Sequence, residues 1–197
     1  MIEVLSKITM DYLQRCNLVK KTDGDYDHYK YGIEITISSL INLIIVFFIG
    51  LLINKILYSF IFLSIFISLR QLTGGYHAKT YFKCNLTMCI SFLLVAFGTA
   101  IINDVQLLFF SIHILLSTLI ELIYCPVENA NKPIAYKSKN KYKINAILTS
   151  MILSIIGYII SLKHNEYGTC IIMTIIIINI LIIVSQIKRG EKNENQN

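Results

Sequence analysis

One histidine and one cysteine, seven positions apart, carry the chemistry that this sequence could perform. His77 and Cys84 lie in the stretch RQLTGGYHAKTYFKC, residues 70–84, between two long apolar blocks. A cysteine thiolate is a strong nucleophile and an imidazole can take its proton, so the pair predicts nucleophilic catalysis at a carbonyl group. On a continuous helix the two residues would be separated by about 10.5 Å along the axis, which is too far for a hydrogen bond. The segment must therefore fold back, or the two side chains meet only when substrate binds.

Several neighbours of the pair could assist such a reaction. Gly74 and Gly75 allow positive φ angles, and their amides could donate hydrogen bonds to an oxyanion. Lys79 and Lys83 are cations close in sequence to Cys84, which also begins an apolar block and so a predicted helix. Cations and helix N-termini both favour a thiolate. The alternative interpretation of the pair is a polar loop histidine and an unrelated buried thiol.

The other four cysteines, Cys16, Cys89, Cys125 and Cys170, are weaker candidates. Two of them fall inside apolar blocks, where thiols usually act as small hydrophobic groups. The other two, Cys16 and Cys125, are expected near the surface, without a histidine close in sequence. No pair has CxxC spacing, so we expect neither a disulfide framework nor a metal site. The segment TGGYHAKT also lacks the spacing of a phosphate-binding loop, and we expect no cofactor.

The elements that position these residues are predicted to be membrane helices. The chain is 55% hydrophobic and only 15% charged, with a mean hydropathy of +0.62, whereas soluble domains have about 25% charged residues. Its apolar residues form three blocks, 35–69, 84–124 and 145–187. Since a span needs about 20 residues, each block can hold two. We therefore predict an all-α, polytopic membrane protein with six transmembrane helices in three hairpins. The second span of the first block is short, so it could thin the bilayer, extend through residues 70–72 or dip in without crossing.

Flanking segments complete the predicted organisation. Residues 1–34 would form an N-terminal amphipathic helix and a connector, residues 35–187 the membrane domain, and residues 188–197 a tail. The membrane domain would contain the catalytic loop 70–84 and a basic loop, 125–144. One face of the N-terminal helix is apolar, with Ile2, Leu5, Ile8, Tyr12, Leu13 and Cys16. This pattern predicts a helix in the membrane interface, although packing against the bundle fits almost as well.

The cations of the chain predict its orientation. Sixteen of the 18 lysines and arginines fall in four segments: residues 1–34, 70–83, 125–144 and 188–197. Six crossings would put all four segments on one side and leave only Lys55 and Lys163 on the other. Because cytoplasmic loops are rich in lysine and arginine, we expect a multi-pass protein of the cell membrane with both termini in the cytoplasm.

The net charge of +6 is therefore interpreted as membrane topology, not nucleic-acid binding. A second interpretation of the basic loops is that they grip a peptide or anionic lipid. Lys79, Lys132 and Lys137 are the candidates for substrate binding.

The motif formed by Arg70, Gly75, His77, Ala78 and Cys84, R-x4-G-x-H-A-x5-C, resembles the signature of the accessory gene regulator protein B (AgrB) family. The fuller segment GGYHAKTY matches the form of many members, and CPVENANKPI is similar to the family's loop between the fourth and fifth spans. Length, six-span layout and basic loops agree with the family, so the likeness covers essentially the whole chain.

The resemblance implies a membrane-embedded cysteine endopeptidase that processes a quorum-sensing pro-peptide of the AgrD type. Cys84 would be the nucleophile, forming an acyl-thioester, and His77 the general base. An internal thiol or hydroxyl of the peptide would then close a cyclic thiolactone or lactone. Arg70 would hold the loop or a substrate carboxylate. A third catalytic residue stays open: Glu121 or Gln71 could orient His77, and Glu121 could equally serve helix packing.

Two other classes of function fit part of the pattern. A small peptide exporter or transporter would have six spans and a basic cytoplasmic face, but these spans show few charges and no pair broken by glycine or proline. A structural or regulatory membrane partner is the third class. His113, in the middle of a span, is interpreted as a packed, hydrogen-bonded residue. Isoleucine-rich faces on the last hairpin would permit homodimers, and membrane lipid is an expected partner.

Overall fold

The computed structural model describes residues 2–16, 26–74, 80–102, 107–127 and 136–194. Within these ranges the fold is all-helical. The seven helices are α1 (Ile2–Arg15), α2 (Tyr26–Leu52), α3 (Ile56–Thr73), α4 (Tyr81–Ile101), α5 (Leu107–Tyr124), α6 (Tyr136–Ser161) and α7 (Asn165–Glu194). The predicted all-α class is confirmed.

Six of these helices, α2 to α7, contain segments long and apolar enough to cross a membrane. A helix satisfies its backbone hydrogen bonds internally, which a chain in lipid requires. The chain is therefore a multi-pass membrane protein, as predicted. Several helices extend beyond the apolar blocks: α2 begins at Tyr26 and α6 at Tyr136, each nine residues before its block, and α7 continues to Glu194. The short α3 keeps its helical form through residues 70–72.

Helix α7 occupies the centre of the bundle and packs against α3, α4, α5 and α6. Half of its apolar segment is buried inside the protein, compared with 17% for α5. The helices of the second predicted hairpin, α4 and α5, pack mainly against other helices: α4 against α2 and α7, and α5 against α6 and α7. The core of the bundle includes three phenylalanines, with the Phe62 ring 5.0 Å from Phe66 and 5.4 Å from Phe92.

The tightest helix pair is α6 and α7, which meet at two glycines. A Cβ atom placed on Gly168 would collide with the carbonyl oxygen of Gly157 and the backbone nitrogen of Ser161. Small residues allow membrane helices to approach closely, and the resulting van der Waals contact drives their association. The last hairpin is therefore closely packed along its two helices.

A stripe of polar side chains lies inside the bundle along α5. His113, Ser117 and Glu121, one turn apart, are the buried residues of this helix. The His113 ring nitrogens lie 3.2 Å from Ser154 Oγ and 3.4 Å from Ser117 Oγ. Asn179 of α7 donates to Ser117 Oγ at 2.8 Å. His113 is thus a packed, hydrogen-bonded residue, as predicted.

Helix α1 packs on α2 through a narrow face. Ser6 and Met10 are buried, whereas Val4, Ile8 and Tyr12 are exposed. The exposed side chains lie next to helices whose outer surfaces face lipid, so the same interface can cover them. Helix α1 docks on the bundle through Ser6 and Met10, residues outside the predicted apolar face. A position of that face in the membrane interface stays a prediction.

The turn between α2 and α3 is tied to the start of α7. The Nζ atom of Lys55 and the hydroxyl of Tyr58 both donate to Glu166 Oε2 at 2.6 Å. Asn54, in the same turn, has a positive φ of 56°, which asparagine tolerates better than most residues. This ion pair connects the first and last predicted hairpins at the end of the bundle opposite Cys84.

Candidate active site

The candidate site begins where α3 ends. Gly74 caps this helix with φ 71° and ψ −143°, and its amide donates to the Arg70 carbonyl at 3.1 Å. The chain leaving α5 reaches the same point, where the Val127 amide donates to the Thr73 carbonyl at 2.8 Å. A Cβ atom on Gly74 would collide with the Val127 backbone. Glycine is therefore required here for its φ and for the close approach.

This arrangement bears on the predicted oxyanion hole. The Gly74 amide is engaged in the α3 cap, so it would have to leave Arg70 before it could donate to a substrate. Gly75, the second predicted donor, lies outside the described residues, as do His77, Lys79 and Lys132. Their roles stay predictions.

Cys84 lies in the first turn of α4. Thr80 is the N-cap residue, with its hydroxyl accepting from the Lys83 amide at 3.4 Å and its carbonyl from the Cys84 amide at 3.1 Å. A threonine in this position starts a helix because its oxygen satisfies an otherwise unpaired backbone N–H. The Cys84 side chain is half-buried. It is thus close to the positive end of a helix dipole and still accessible.

Arg70 approaches the same sulfur from α3. The Arg70 guanidinium interacts electrostatically with Cys84 and lies 5.2 Å from the Phe66 ring centroid. The aromatic face holds the guanidinium by a cation–π contact. A nearby cation favours the thiolate form of a cysteine, which is its nucleophilic form. Arg70 was predicted to hold the loop or a substrate carboxylate, and that role stays a prediction.

Two hydrogen bonds tie the first turns of α4 to α2. Tyr81 donates to Glu34 Oε2 at 2.7 Å, and Ser38 donates to Asn85 Oδ1 at 2.9 Å. The four side chains are spaced four residues apart on each helix, so they lie on facing surfaces. They bracket Cys84 and fix its helix against α2. Neither hydrogen bond was predicted from the sequence, where the available signal was a lone carboxylate, Glu34, at the edge of an apolar block.

The remaining cysteines differ from Cys84 in their surroundings. Cys125 is buried at the end of α5, and burial, with a smaller contribution from Glu121, raises the pKa of its thiol to about 12. That thiol stays protonated at neutral pH. Cys170 is fully buried against the core, Cys89 is half-buried within α4, and Cys16 is exposed at the end of α1. Within the described residues, Cys84 is the cysteine that combines accessibility, a helix N-terminus and a cation.

Other predicted residues have defined surroundings. Glu121 is fully buried and accepts a hydrogen bond from Ser150 at 2.7 Å through Oε2. Its Oε1 atom has no hydrogen-bond partner among the described residues. Gln71 is exposed on the last turn of α3. Lys137 belongs to the first turn of α6, so part of the predicted basic loop is helical.

Fold and site define a multi-pass membrane protein that presents a half-buried cysteine at the start of a span. The sequence model of the family Accessory gene regulator B matches residues 6–186. An AgrB-like protein of Clostridium beijerinckii is 31% identical over 193 residues, covering 95% of this chain and 92% of that protein. An AgrB-like protein of Clostridium perfringens strain SM101 is 32% identical over 152 residues, covering 72% and 68%.

The accessory gene regulator protein B of Staphylococcus intermedius is 27% identical over 163 residues, covering 83% of this chain and 85% of that protein. The chain therefore belongs to the Accessory gene regulator B family. No solved structure matches it significantly.

Proposed function

We propose that the chain is a membrane-embedded cysteine endopeptidase that processes a quorum-sensing pro-peptide of the AgrD type. Membership in the Accessory gene regulator B family supports a role in accessory gene regulator quorum sensing. The observation that carries the peptidase chemistry is the position of Cys84, half-buried in the first turn of α4 and within electrostatic reach of Arg70.

In the first step, the Cys84 thiolate attacks the carbonyl carbon of the scissile peptide bond. His77 holds the thiol proton and delivers it to the amine nitrogen as the C–N bond breaks. The C-terminal fragment leaves, and the N-terminal fragment stays as an acyl-thioester on Cys84. Because an amide is exchanged for a thioester, this step is uphill and is drawn forward by removal of one fragment.

In the second step, a thiol or hydroxyl within the bound peptide attacks the thioester carbon. His77 takes its proton, the C–S bond to Cys84 breaks, and a cyclic thiolactone or lactone is released with the enzyme thiol restored. For an internal thiol, one thioester replaces another, so the exchange is nearly balanced. Water must be kept from the acyl-enzyme until the ring closes. A site at the end of two membrane helices, close to the bilayer, is suited to that exclusion of water.

Replacing the nucleophile tests this assignment. We expect Cys84→Ala to abolish cleavage of a co-expressed pro-peptide, followed by mass spectrometry, because the acyl-enzyme cannot form. Cys89→Ala is the matched control, since it removes a half-buried thiol from the same helix, and it should process normally. Purified wild-type protein should also yield a peptide thioester on Cys84. Normal cleavage by Cys84→Ala, or its loss in Cys89→Ala alone, would show that Cys84 is not the nucleophile.

A peptide exporter is the second candidate function. The polar stripe of His113, Ser117 and Glu121 favours it, because buried polar groups in membrane helices often line a substrate path. The two functions are separated by measuring both cleavage and transport in proteoliposomes. Flux of a pre-cyclised peptide that persists in Cys84→Ala would identify an exporter, whereas a peptidase alone gives no flux.

A further inference from the structure

A pocket of about 460 Å³ between α1 and α2 has no role in the chemistry described above. It is lined by Lys7, Met10, Tyr26, Lys30 and Glu34. Its two lysines come from different helices, and neither forms an ion pair with any side chain that the structure describes. The carboxylate of Glu34 is already engaged, with Oε1 accepting from Ser6 at 3.2 Å and Oε2 from Tyr81. The pocket therefore places two lysines beside one hydrogen-bonded carboxylate, and neither lysine has an ion-pair partner among the described side chains.

The surroundings of the pocket indicate the kind of anion that it would meet. Val4, Ile8 and Tyr12 are each more than 60% exposed on α1, beside helices that span the membrane. An amphipathic helix with such a face lies at the level of the lipid headgroups. A second groove between the same helices, about 440 Å³ in volume, is lined by Thr9, Tyr29, Gly32, Ile33, Thr36 and Ile37. This less charged groove has room for part of an acyl chain.

We propose that the pocket binds the phosphate of an anionic phospholipid, and that its occupancy sets the position of the Cys84 helix through Glu34. Lys7 and Lys30 would contact the phosphate from two helices. Glu34 forms the wall of the pocket and holds Tyr81, which lies three residues before Cys84. Neutralising the lysines beside this carboxylate changes the field at the hydrogen bond that fixes α4. The effect on catalysis rests on the proposed function, whereas the binding of lipid does not.

Direct binding is tested on the full-length protein in detergent by native mass spectrometry with phosphatidylglycerol. The variant Lys7→Gln/Lys30→Gln should bind this lipid more weakly by about fivefold for each lysine removed. The matched control, Lys141→Gln/Lys163→Gln, removes the same charge from exposed sites elsewhere and should bind as the wild type does. Equal binding by the wild type and Lys7→Gln/Lys30→Gln would overturn the proposal. Circular dichroism verifies that each variant is folded.

The proposed effect of lipid binding on the position of Cys84 is tested without any peptide substrate. With Cys16 and Cys89 replaced by alanine, the alkylation rate of Cys84 by a small maleimide is compared in vesicles of phosphatidylcholine with and without phosphatidylglycerol. We expect the anionic lipid to change this rate severalfold. The change should be absent in Lys7→Gln/Lys30→Gln. It should also be absent in Tyr81→Phe, which keeps the lysines and should still bind the lipid.

Each alternative has its own outcome. If inorganic phosphate added to phosphatidylcholine vesicles changes the rate as the anionic lipid does, the pocket takes a soluble anion and the lipid assignment is wrong. If Lys7→Gln/Lys30→Gln instead raises the KM for pro-peptide cleavage in neutral vesicles, the pocket binds the peptide. If the wild-type protein binds the lipid but the alkylation rate of Cys84 is the same with and without it, lipid binding does not act on the Cys84 helix. Since neither the binding nor the alkylation assay requires proteolysis, failure of the proposed peptidase function would be seen separately.

Discussion

Gly74 is the residue at which two distant parts of the chain meet. It ends α3 in a backbone conformation that is essentially restricted to glycine, and the Val127 backbone lies against its Cα atom. Both constraints act on the segment that leads into the His77 motif. The first glycine of the GG pair is therefore a structural requirement, independent of any part in an oxyanion hole.

Gly74→Ala should destabilise the protein by roughly 1–3 kcal/mol, because alanine at this φ is strained, and the contact with Val127 adds to that cost. We expect a lower midpoint for thermal unfolding in detergent and reduced pro-peptide cleavage. Gly32→Ala is the control: this glycine is within α2, and a methyl group added to it would meet no neighbouring atom within 4 Å. There, alanine should stabilise the helix by about 0.5–1 kcal/mol. Equal stability of the two variants would contradict this account.

The spacing of residues along the sequence limited what could be predicted about individual side chains. The R-x4-G-x-H-A-x5-C motif predicted roles for Cys84 and Arg70, and these two residues lie at the neighbouring ends of α3 and α4. The spacing could not show that the Gly74 amide is used by the helix cap, nor that Glu34 and Ser38 hold the helix carrying Cys84. Both facts depend on which helix faces packed together, and hydropathy does not specify this.

At the scale of the elements, the connection between the α2–α3 turn and α7 depends on one lysine. The hydrogen bond to Glu166, followed by the one to Tyr58, raises the pKa of Lys55 above its ordinary value of 10.5. Because the folded state holds this proton more tightly than the unfolded chain does, the interaction stabilises the fold fully below the ordinary pKa. That stabilisation is lost as the pH rises through the raised pKa of the folded protein.

We therefore expect Lys55→Met to lower the free energy of unfolding at neutral pH by roughly 0.2–1 kcal/mol, as for exposed ion pairs. The difference from the wild type should shrink at strongly alkaline pH. Unfolding in mixed micelles, followed by circular dichroism across this pH range, measures it. Lys163→Met, in the turn between α6 and α7, removes an exposed lysine without an ion pair among the described residues and should show no such dependence. A constant difference at all pH values would exclude the ion pair as the cause.

The number and order of helices followed from the sequence because three apolar blocks of 35 to 43 residues permit few other divisions. The ends of the helices and their packing partners could not be predicted from the sequence. The polar start of α2, from Tyr26 onward, is helical because α1 packs against it through Met10 and Ser6. The separation of α4 from α5 reflects the central position of α7, which offers both of them a long buried face.

At the scale of the whole molecule, the distribution of cations predicts a single orientation in the membrane. Lys163 lies in the turn between α6 and α7, at the opposite end of the span from Lys141 near the start of α6. We expect Lys163→Cys, in a chain whose native cysteines are replaced by serine, to react with a membrane-impermeant maleimide applied to intact cells. Lys141→Cys should react only after the cells are permeabilised. Labelling of Lys141→Cys in intact cells would show that the bundle has the inverse orientation.

The backbone bridge between residues 73–74 and residue 127 has a consequence for hybrid proteins built from relatives of this chain. Because the Val127 amide donates to the Thr73 carbonyl, the end of α3 and the segment after α5 constitute one module although more than 50 positions separate them in the chain. A chimera that exchanges the motif segment alone would join mismatched halves of that module. Transplanting both segments together keeps their shared contact, so a hybrid with both exchanged should fold more stably than one with a single segment exchanged.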